Sequence, residues 1–296
     1  MSVDNPPSLE EFLAAPPEVV ARVAPQTVSY VPAGSRRQAT IEGIPLDDHY
    51  PEWSRRRILD AVGQFFHLGV QHVIISTIAP DNTKEAEGYG DRVLGWVIST
   101  FSDSTMIAEY QRLGWRVQFL APPIPALLEA NTRLQSTLVS TARHSFWLAI
   151  VLDVEDPWRQ ILTIARTSGA QTQAAAIRAL YGADIPPATM MVGFGKPALG
   201  FVLPRLLIGT MLHGYWPQRA GFRLTENMVR TMIYDYAYNR RTWEVDHAPR
   251  YAYAAQLQAL WDTEEILGVG SKIYGYWYPN SFTIPALPDD PAPEGA

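Results

Sequence analysis

Apolar positions along this chain fall alternately into strand-like runs and helix-like spacings. Ser8-Leu-Glu-Glu11 is a capping-box pattern that predicts a short leading helix, stopped by Pro16-Pro17. Val28, Tyr30 and Val31 then form a β-branched and aromatic run that suits a strand, and Pro32 closes it for want of an N–H. Ile58, Ala61, Val62, Phe65 and Phe66 recur at helical spacing, with Gly69 as a stop. His72 to Thr77 reads as a buried strand. A polar loop with Pro80, Asp81 and Asn82 follows it. Val93, Leu94, Val97, Ile98 and Phe101 predict a second helix, and a third carries Ile107 and Tyr110 and ends at Gly114.

The alternation continues to the far end. Strands are expected at Trp115 to Leu120, Phe146 to Leu152, Thr189 to Phe194 and Thr210 to Tyr215. Between them, Leu127, Asn131, Leu134 and Leu138 mark one helix face. Asp156-Pro157 opens another helix, with Trp158, Ile161, Leu162 and Ala165 expected inward. Further helices are expected at Gln173 to Leu180, after Thr225, and from Tyr251 to Leu267. Five or six strands alternating with helices predict an α/β fold: a mostly parallel central sheet covered on both faces. With no internal repeat or linker, one domain is expected over residues 1–284. The Pro- and Asp-rich tail 285–296 is expected to be disordered.

Composition narrows the function classes. The chain has 296 residues, 47% of them hydrophobic, which allows a sizeable core. A net charge of −6 argues against nucleic acid as a partner. Cysteine is absent, so disulfides and thiolate chemistry are excluded, in keeping with the expected cytoplasmic location. The first residues have neither a basic nor an apolar region, so no signal peptide is expected. The most apolar stretch, Met190 to Trp216, is interrupted by Lys196, Pro197, Pro204 and Arg205. No transmembrane segment is expected there; it reads as buried strands and a pocket wall.

In a parallel α/β fold the ligand site lies at the carboxyl ends of the strands. That rule places the loops Ala33–Arg37, Ser76–Asn82, Asp153–Asp156 and Gly193–Gly200 along one rim. Taken alone, Arg36-Arg37 reads as a solvated turn. On the rim, Ala33-Gly34-Ser35 followed by paired arginines presents backbone N–H groups and guanidinium forks suited to an anionic oxygen cluster.

This order of elements resembles the opening of the cis-prenyltransferases. More closely, the chain is similar to the bacterial diterpene synthases of that fold, the tuberculosinol and kolavelool-type enzymes. The resemblance rests on Gly34-Ser-Arg-Arg37 with Asp47-Asp-His-Tyr50, on Gly90-Asp91-Arg92, and on Gly193-Phe-Gly195 followed by Leu224 to Asp235. It runs roughly from Val28 to Tyr278. It implies a prenyl (diterpenyl) diphosphate held by Ala33, Gly34, Ser35, Arg36, Arg37, Ser76 and Asn82. It also implies a role for Tyr50 beside the carbocation, and for Asp47 or Asp48 in orienting water, accepting a proton or binding magnesium. Read locally, Tyr50 is equally an ordinary half-buried tyrosine, and Asp47-Asp48 equally the turn that opens a helix. Mg2+ is the expected cofactor, with ligands unassigned, and a homodimer the expected assembly.

Two departures refine the expectation. The family's aspartate before the loop glycine is Ala33 here, which leaves open a natural enzyme, an inactive subunit or a laboratory substitution. The elongating enzymes carry an arginine-rich segment for isopentenyl diphosphate. The matching stretch Gly193-Phe-Gly-Lys-Pro-Ala-Leu-Gly200 has no arginine and no carboxylate. One diphosphate substrate is therefore expected, a bicyclic allylic diterpenyl diphosphate ionised and quenched by water or proton loss. The alternatives are prenyl transfer to a nucleoside or other small acceptor, and a non-catalytic partner subunit.

Other patterns carry less. Gly193 to Ala198 fits a dinucleotide fingerprint, but no Asp or Glu occurs between Asp184 and Glu226 to take the ribose. Asp153-Val-Glu-Asp156 reads as helix capping, and the six histidines show no zinc-ligand spacing. Asp47-Asp48 is not the Asp-Asp-x-x-Asp of the classical terpene synthases, because Pro51 and Glu52 follow the tyrosine.

Overall fold

The computed structural model describes residues 6–47, 49–84, 88–139, 141–198, 204–218, 222–240, 268–273 and 276–279. They belong to two compact units, Met1–Val245 and Asp246–Ala296. The expected helix at 251–267 and the tail 285–296 lie outside the described residues.

In the first unit, α1 (Leu9–Ala14) and α2 (Pro17–Val20) precede β1 (Thr27–Val31). Then come α3 (Ser35–Ile41), α4 (His49–His67), β2 (His72–Ile78) and α5 (Pro80–Thr83). Next are α6 (Tyr89–Ser102), α7 (Ser104–Leu113), β3 (Trp115–Leu120), α8 (Pro125–Leu134) and β4 (His144–Ile150). The unit continues through α9 (Asp156–Thr167), α10 (Gln173–Tyr181), β5 (Ala188–Gly193), β6 (Ile208–Tyr215) and α11 (Glu226–Tyr234). The second unit contains an antiparallel hairpin of β7 (Gly270–Ile273) and β8 (Tyr276–Pro279).

Six strands form one sheet in the order β3-β4-β2-β1-β5-β6, and every pairing is parallel. The expected mostly parallel sheet is therefore present. Side chains alternate between its faces with the period of two that strands impose. Val28, Tyr30, Val73, Ile75, Phe146, Leu148, Met190 and Val192 point to one buried cluster, shared with Phe65 of α4 and Val229 of α11. Ile74, Trp147, Ala149 and Ala188 point to the other, with Ile177 and Tyr181 of α10. Each large side chain so buried contributes roughly 1.5–3 kcal/mol, which fixes strand register against a one-residue slip.

Register is what builds the rim. Val31 lies opposite Gly193 and Tyr30 opposite both Ile75 and Val192, so β1, β2 and β5 end side by side. The buried Arg230 of α11 ties down the leading helices: it donates to the Ala15 carbonyl at 2.7 Å and to Glu226 at 2.7 Å.

Three local readings are corrected. The paired arginines do not sit in a loop: Gly34 adopts φ 83° as the N-cap of α3, so Arg36 and Arg37 lie in its first turn. Glu155, not Asp156, occupies the N-cap of α9. Along α9, Trp158 and Leu162 are 49% and 61% exposed, while Pro157 is buried and Ile161 and Ile164 half-buried. Apolar residues at 157, 158, 161, 162, 164 and 165 form one stripe about 160° wide, and only the edge carrying Ile164, Pro157 and Ile161 turns inward, a choice that spacing alone does not make. Among the described residues, no helix is long and apolar enough to cross a membrane.

Candidate active site at the carboxyl ends of the strands

The centre of the rim is the turn from β1 into α3. Gly34 occupies the left-handed region, where side chains other than glycine are strained. The Arg37 side chain also folds back over it. A Cβ at position 34 would lie 2.9 Å from Arg37 Nη2. Glycine therefore serves both the turn and the close approach of a guanidinium to the backbone.

Ser35, the first residue of α3, joins this turn to α4. Its Oγ lies 2.6 Å from the Tyr50 hydroxyl. Tyr50 is half-buried, and burial pushes its phenol above the usual range, against hydrogen bonds with Ser35 and Ser54 and the positive charge of Arg36. The hydroxyl is thus neutral at ordinary pH. It can donate or relay a hydrogen bond, but it does not sit there as a phenolate.

Two arginines from separate helices meet on one ring. The Arg36 guanidinium carbon is 5.4 Å from the Tyr89 ring centroid, and that of Arg92 is 5.7 Å from the same centroid. Arg92 also lies 5.8 Å from the Trp96 ring. Arg37 and Arg92 have no carboxylate partner among the described residues. In contrast, Arg56 and Arg57 of α4 are neutralised by Glu52 and Glu42. Guanidinium groups gathered at a strand-end rim, with Arg37 and Arg92 lacking a carboxylate partner among the described residues, are suited to a multiply charged anion.

Aromatic rings lead away from this cluster. Tyr50 lies 6.0 Å from Trp53, and Trp53 lies 5.4 Å edge-on to the buried Phe222. Trp53 is fixed through its indole N–H, which donates to Glu42 at 3.2 Å. Glu42 also accepts from Gln38 at 2.6 Å and Arg57 at 2.8 Å. Burial works against its charge, but these donors win and hold the carboxyl below its usual range. Deeper in, Tyr30 packs 6.1 Å from Phe194 at the end of β5.

The remaining expected residues are placed as follows. Ala33 is exposed beside Gly34 and offers only a methyl group. Asp47 Oδ1 accepts from the backbone N and the ring Nδ1 of His49, both at 2.9 Å, and these bonds hold its carboxyl below the usual range. That is the pattern of a helix-opening turn. Asp48 lies outside the described residues. Ser76 is half-buried in β2, and Asn82 Oδ1 accepts from Ala79 N at 2.9 Å, shaping the turn after that strand. Arg92, Tyr89 and Trp53 were not singled out from the sequence as site residues. Arg92 figured only within the Gly90-Asp91-Arg92 motif of the resemblance. The helical spacing of Tyr89, Arg92 and Trp96, which sets them on one face of α6, is a further signal, and Trp53 had none.

Among the described residues no group of three or more side chains could hold a metal ion. At the rim, Ala33 supplies no oxygen and Asp47 is engaged by His49. The described donors do not fit a magnesium ion held by the protein, and no step below passes through one.

No family model matches the chain. It is 36% identical over 282 residues to (+)-kolavelool synthase from Herpetosiphon aurantiacus, covering 94% of this chain and 97% of that protein. Among solved structures, it resembles lavandulyl diphosphate synthase from Lavandula x intermedia, in complex with dimethylallyl diphosphate. The TM-score is 0.52 at 14% identity, over 76% of this chain and 100% of that one. It also resembles a probable undecaprenyl diphosphate synthase from Campylobacter jejuni, with a TM-score of 0.56 at 12% identity over 75% and 99% of the two chains. The α/β architecture is that of these synthases, and the chain belongs to the family of (+)-kolavelool synthase, enzymes of the cis-prenyltransferase fold that act on diphosphates.

Proposed function

We propose that this protein is a diterpene synthase that ionises a bicyclic allylic diterpenyl diphosphate of halimane, clerodane or labdane type. The cation is then quenched by water or by proton loss, giving an alcohol or a hydrocarbon. One observation carries the reading: Arg36 and Arg92 converge on Tyr89, beside an Arg37 that has no carboxylate partner among the described residues. The kinship with (+)-kolavelool synthase supports it.

The chemistry follows from the charges. As the carbon–oxygen bond breaks, negative charge grows on the leaving diphosphate, and guanidinium groups fixed in advance lower the barrier without reorganising. The carbocation left behind faces aromatic rings. Tyr50, bonded to Ser35 at the rim, and Trp53, 6.0 Å from it, are the rings we assign to it, each worth roughly 0.5–2 kcal/mol to a cation over its face. The neutral Tyr50 hydroxyl, already hydrogen-bonded to Ser35, is placed to orient the water or pass on the proton.

Chain elongation is not expected, because Phe194 to Ala198 offers a second diphosphate only Lys196. The test is incubation with a panel of diterpenyl diphosphates and with farnesyl plus labelled isopentenyl diphosphate. Formation of a diterpene alcohol or olefin from a bicyclic substrate supports the reading. Longer labelled prenyl diphosphates, or transfer of the prenyl group to an added nucleoside, would replace it. The expected homodimer is tested by the mass of the purified protein in light scattering.

A further inference from the structure

We infer that Tyr89 is a positioning residue for the leaving-group site, its ring holding Arg36 and Arg92 together before the diphosphate arrives. The inference rests on the diphosphate reading above and adds to it a residue with no charge of its own.

The two guanidinium groups come from α3 and α6, which are far apart in sequence, and neither helix alone would bring them together. Their like charges repel, and both side chains are exposed, so solvent and rotamer freedom favour their separation. Both lie over the half-buried ring of Tyr89, whose centroid is 5.4 Å from one guanidinium carbon and 5.7 Å from the other. The negative face of an aromatic ring attracts a cation, most of all a planar guanidinium. Gly88, at φ 72°, turns the chain so that Tyr89 begins α6 within reach of α3. The Trp96 ring also lies 5.8 Å from the Arg92 guanidinium carbon. The arrangement stores two positive charges close together at the rim, so an arriving diphosphate does not have to gather them.

The test reads the affinity of inorganic diphosphate by calorimetry for wild type, Arg36→Ala, Tyr89→Phe, Tyr89→Leu and a series with progressively fluorinated phenylalanine at position 89. Fluorination withdraws the negative face while preserving ring shape, so a merely structural role would not follow it. Tyr89→Phe should stay within about twofold of wild type, and Tyr89→Leu should weaken binding by about fivefold to thirtyfold. The fluorinated series should fall progressively, and both effects should shrink in an Arg36→Ala background. If the fluorinated proteins all bind like Tyr89→Phe while Arg36→Ala still weakens binding, the inference falls and the diphosphate reading stands. If diphosphate binding is absent, or indifferent to Arg36, Arg37 and Arg92 alike, both fall together. The fluorinated series decides the matter even if Tyr89→Leu does not fold.

Discussion

The Oγ of Ser35 lies 2.6 Å from the phenolic oxygen of Tyr50, so the first residue of α3 and the first turn of α4 share a hydroxyl pair at the rim of the sheet. Ser35 is one residue from the Gly34 turn, and Tyr50 begins the aromatic track that continues through Trp53 to Phe222. The pair therefore links the anionic and apolar halves of the site.

This linkage separates two variants. Tyr50→Phe keeps the ring and removes the hydroxyl. It should leave diphosphate affinity within about twofold while lowering product formation by about 10²-fold, the low end of what a positioned proton-handling group supplies. Tyr50→Leu removes the ring as well and should be worse in turnover. Single-turnover gas chromatography beside diphosphate calorimetry distinguishes the two. Equal turnover of wild type and Tyr50→Phe would reduce the hydroxyl to a packing contact with Ser35.

Gly34→Ala should cost stability and binding together. A left-handed φ of 83° strains an L side chain by about 1–2 kcal/mol, and the new methyl would press on Arg37 Nη2. The melting temperature should fall modestly, while diphosphate affinity falls more than Arg37→Ala alone would explain. Gly43→Ala, at φ 71° but with no atom within 4 Å of the added Cβ, is the control for backbone strain alone.

At position 33 a carboxylate would stand beside the guanidinium cluster, where it could share a divalent ion with the substrate's oxygens. Ala33→Asp should therefore raise turnover of a diterpenyl diphosphate and make it more sensitive to a chelator, with the fold unchanged by circular dichroism. Fast turnover by the Ala33 protein that Asp does not improve would mean that ionisation here proceeds without the family's aspartate.

Acid stability should report a histidine at the opposite end of the sheet. Burial, aided by the positive charges of Arg116 and His144, lowers the pKa of His72 from 6.5 to about 4. Its Nδ1 accepts from the Trp147 indole N–H at 3.3 Å, a bond only the neutral ring can take in this way. Because the folded value is the lower one, the unfolded chain takes up the proton first. The contribution of His72 is complete above pH 6.5 and is lost as pH falls toward 4. Urea midpoints measured across that window should drop, and His72→Gln should flatten the drop. An unchanged slope in the variant would remove His72 from the account.

The sheet was readable because its strands are short β-branched and aromatic runs, such as His72 to Ile78, bounded by Gly and Pro. The rim followed from the rule that ligands bind at strand ends, and the Gly34 turn from its residue types. Less readable were contacts that only the folded chain creates. Arg92 and Tyr89 of α6 meet Arg36 of α3 only in the folded chain, and no local pattern encodes that meeting. The inward side of α9 was unreadable for a different reason. Its apolar residues form one stripe about 160° wide, but only the edge carrying Pro157, Ile161 and Ile164 is covered, so Trp158 on the other edge points outward although it is the largest of them.

The central claim is that the leaving diphosphate sits among Arg36, Arg37 and Arg92. The most direct measurement is the crystal structure of the protein soaked with a non-ionisable thiolodiphosphate analogue, whose sulfur can be located by anomalous scattering. The account predicts phosphate oxygens within hydrogen-bonding distance of those guanidinium groups, about 2.7–2.9 Å, and the sulfur on the Tyr50 side of the cluster. A diphosphate bound at the Phe194–Ala198 turn, with the three arginines still facing solvent, would contradict it.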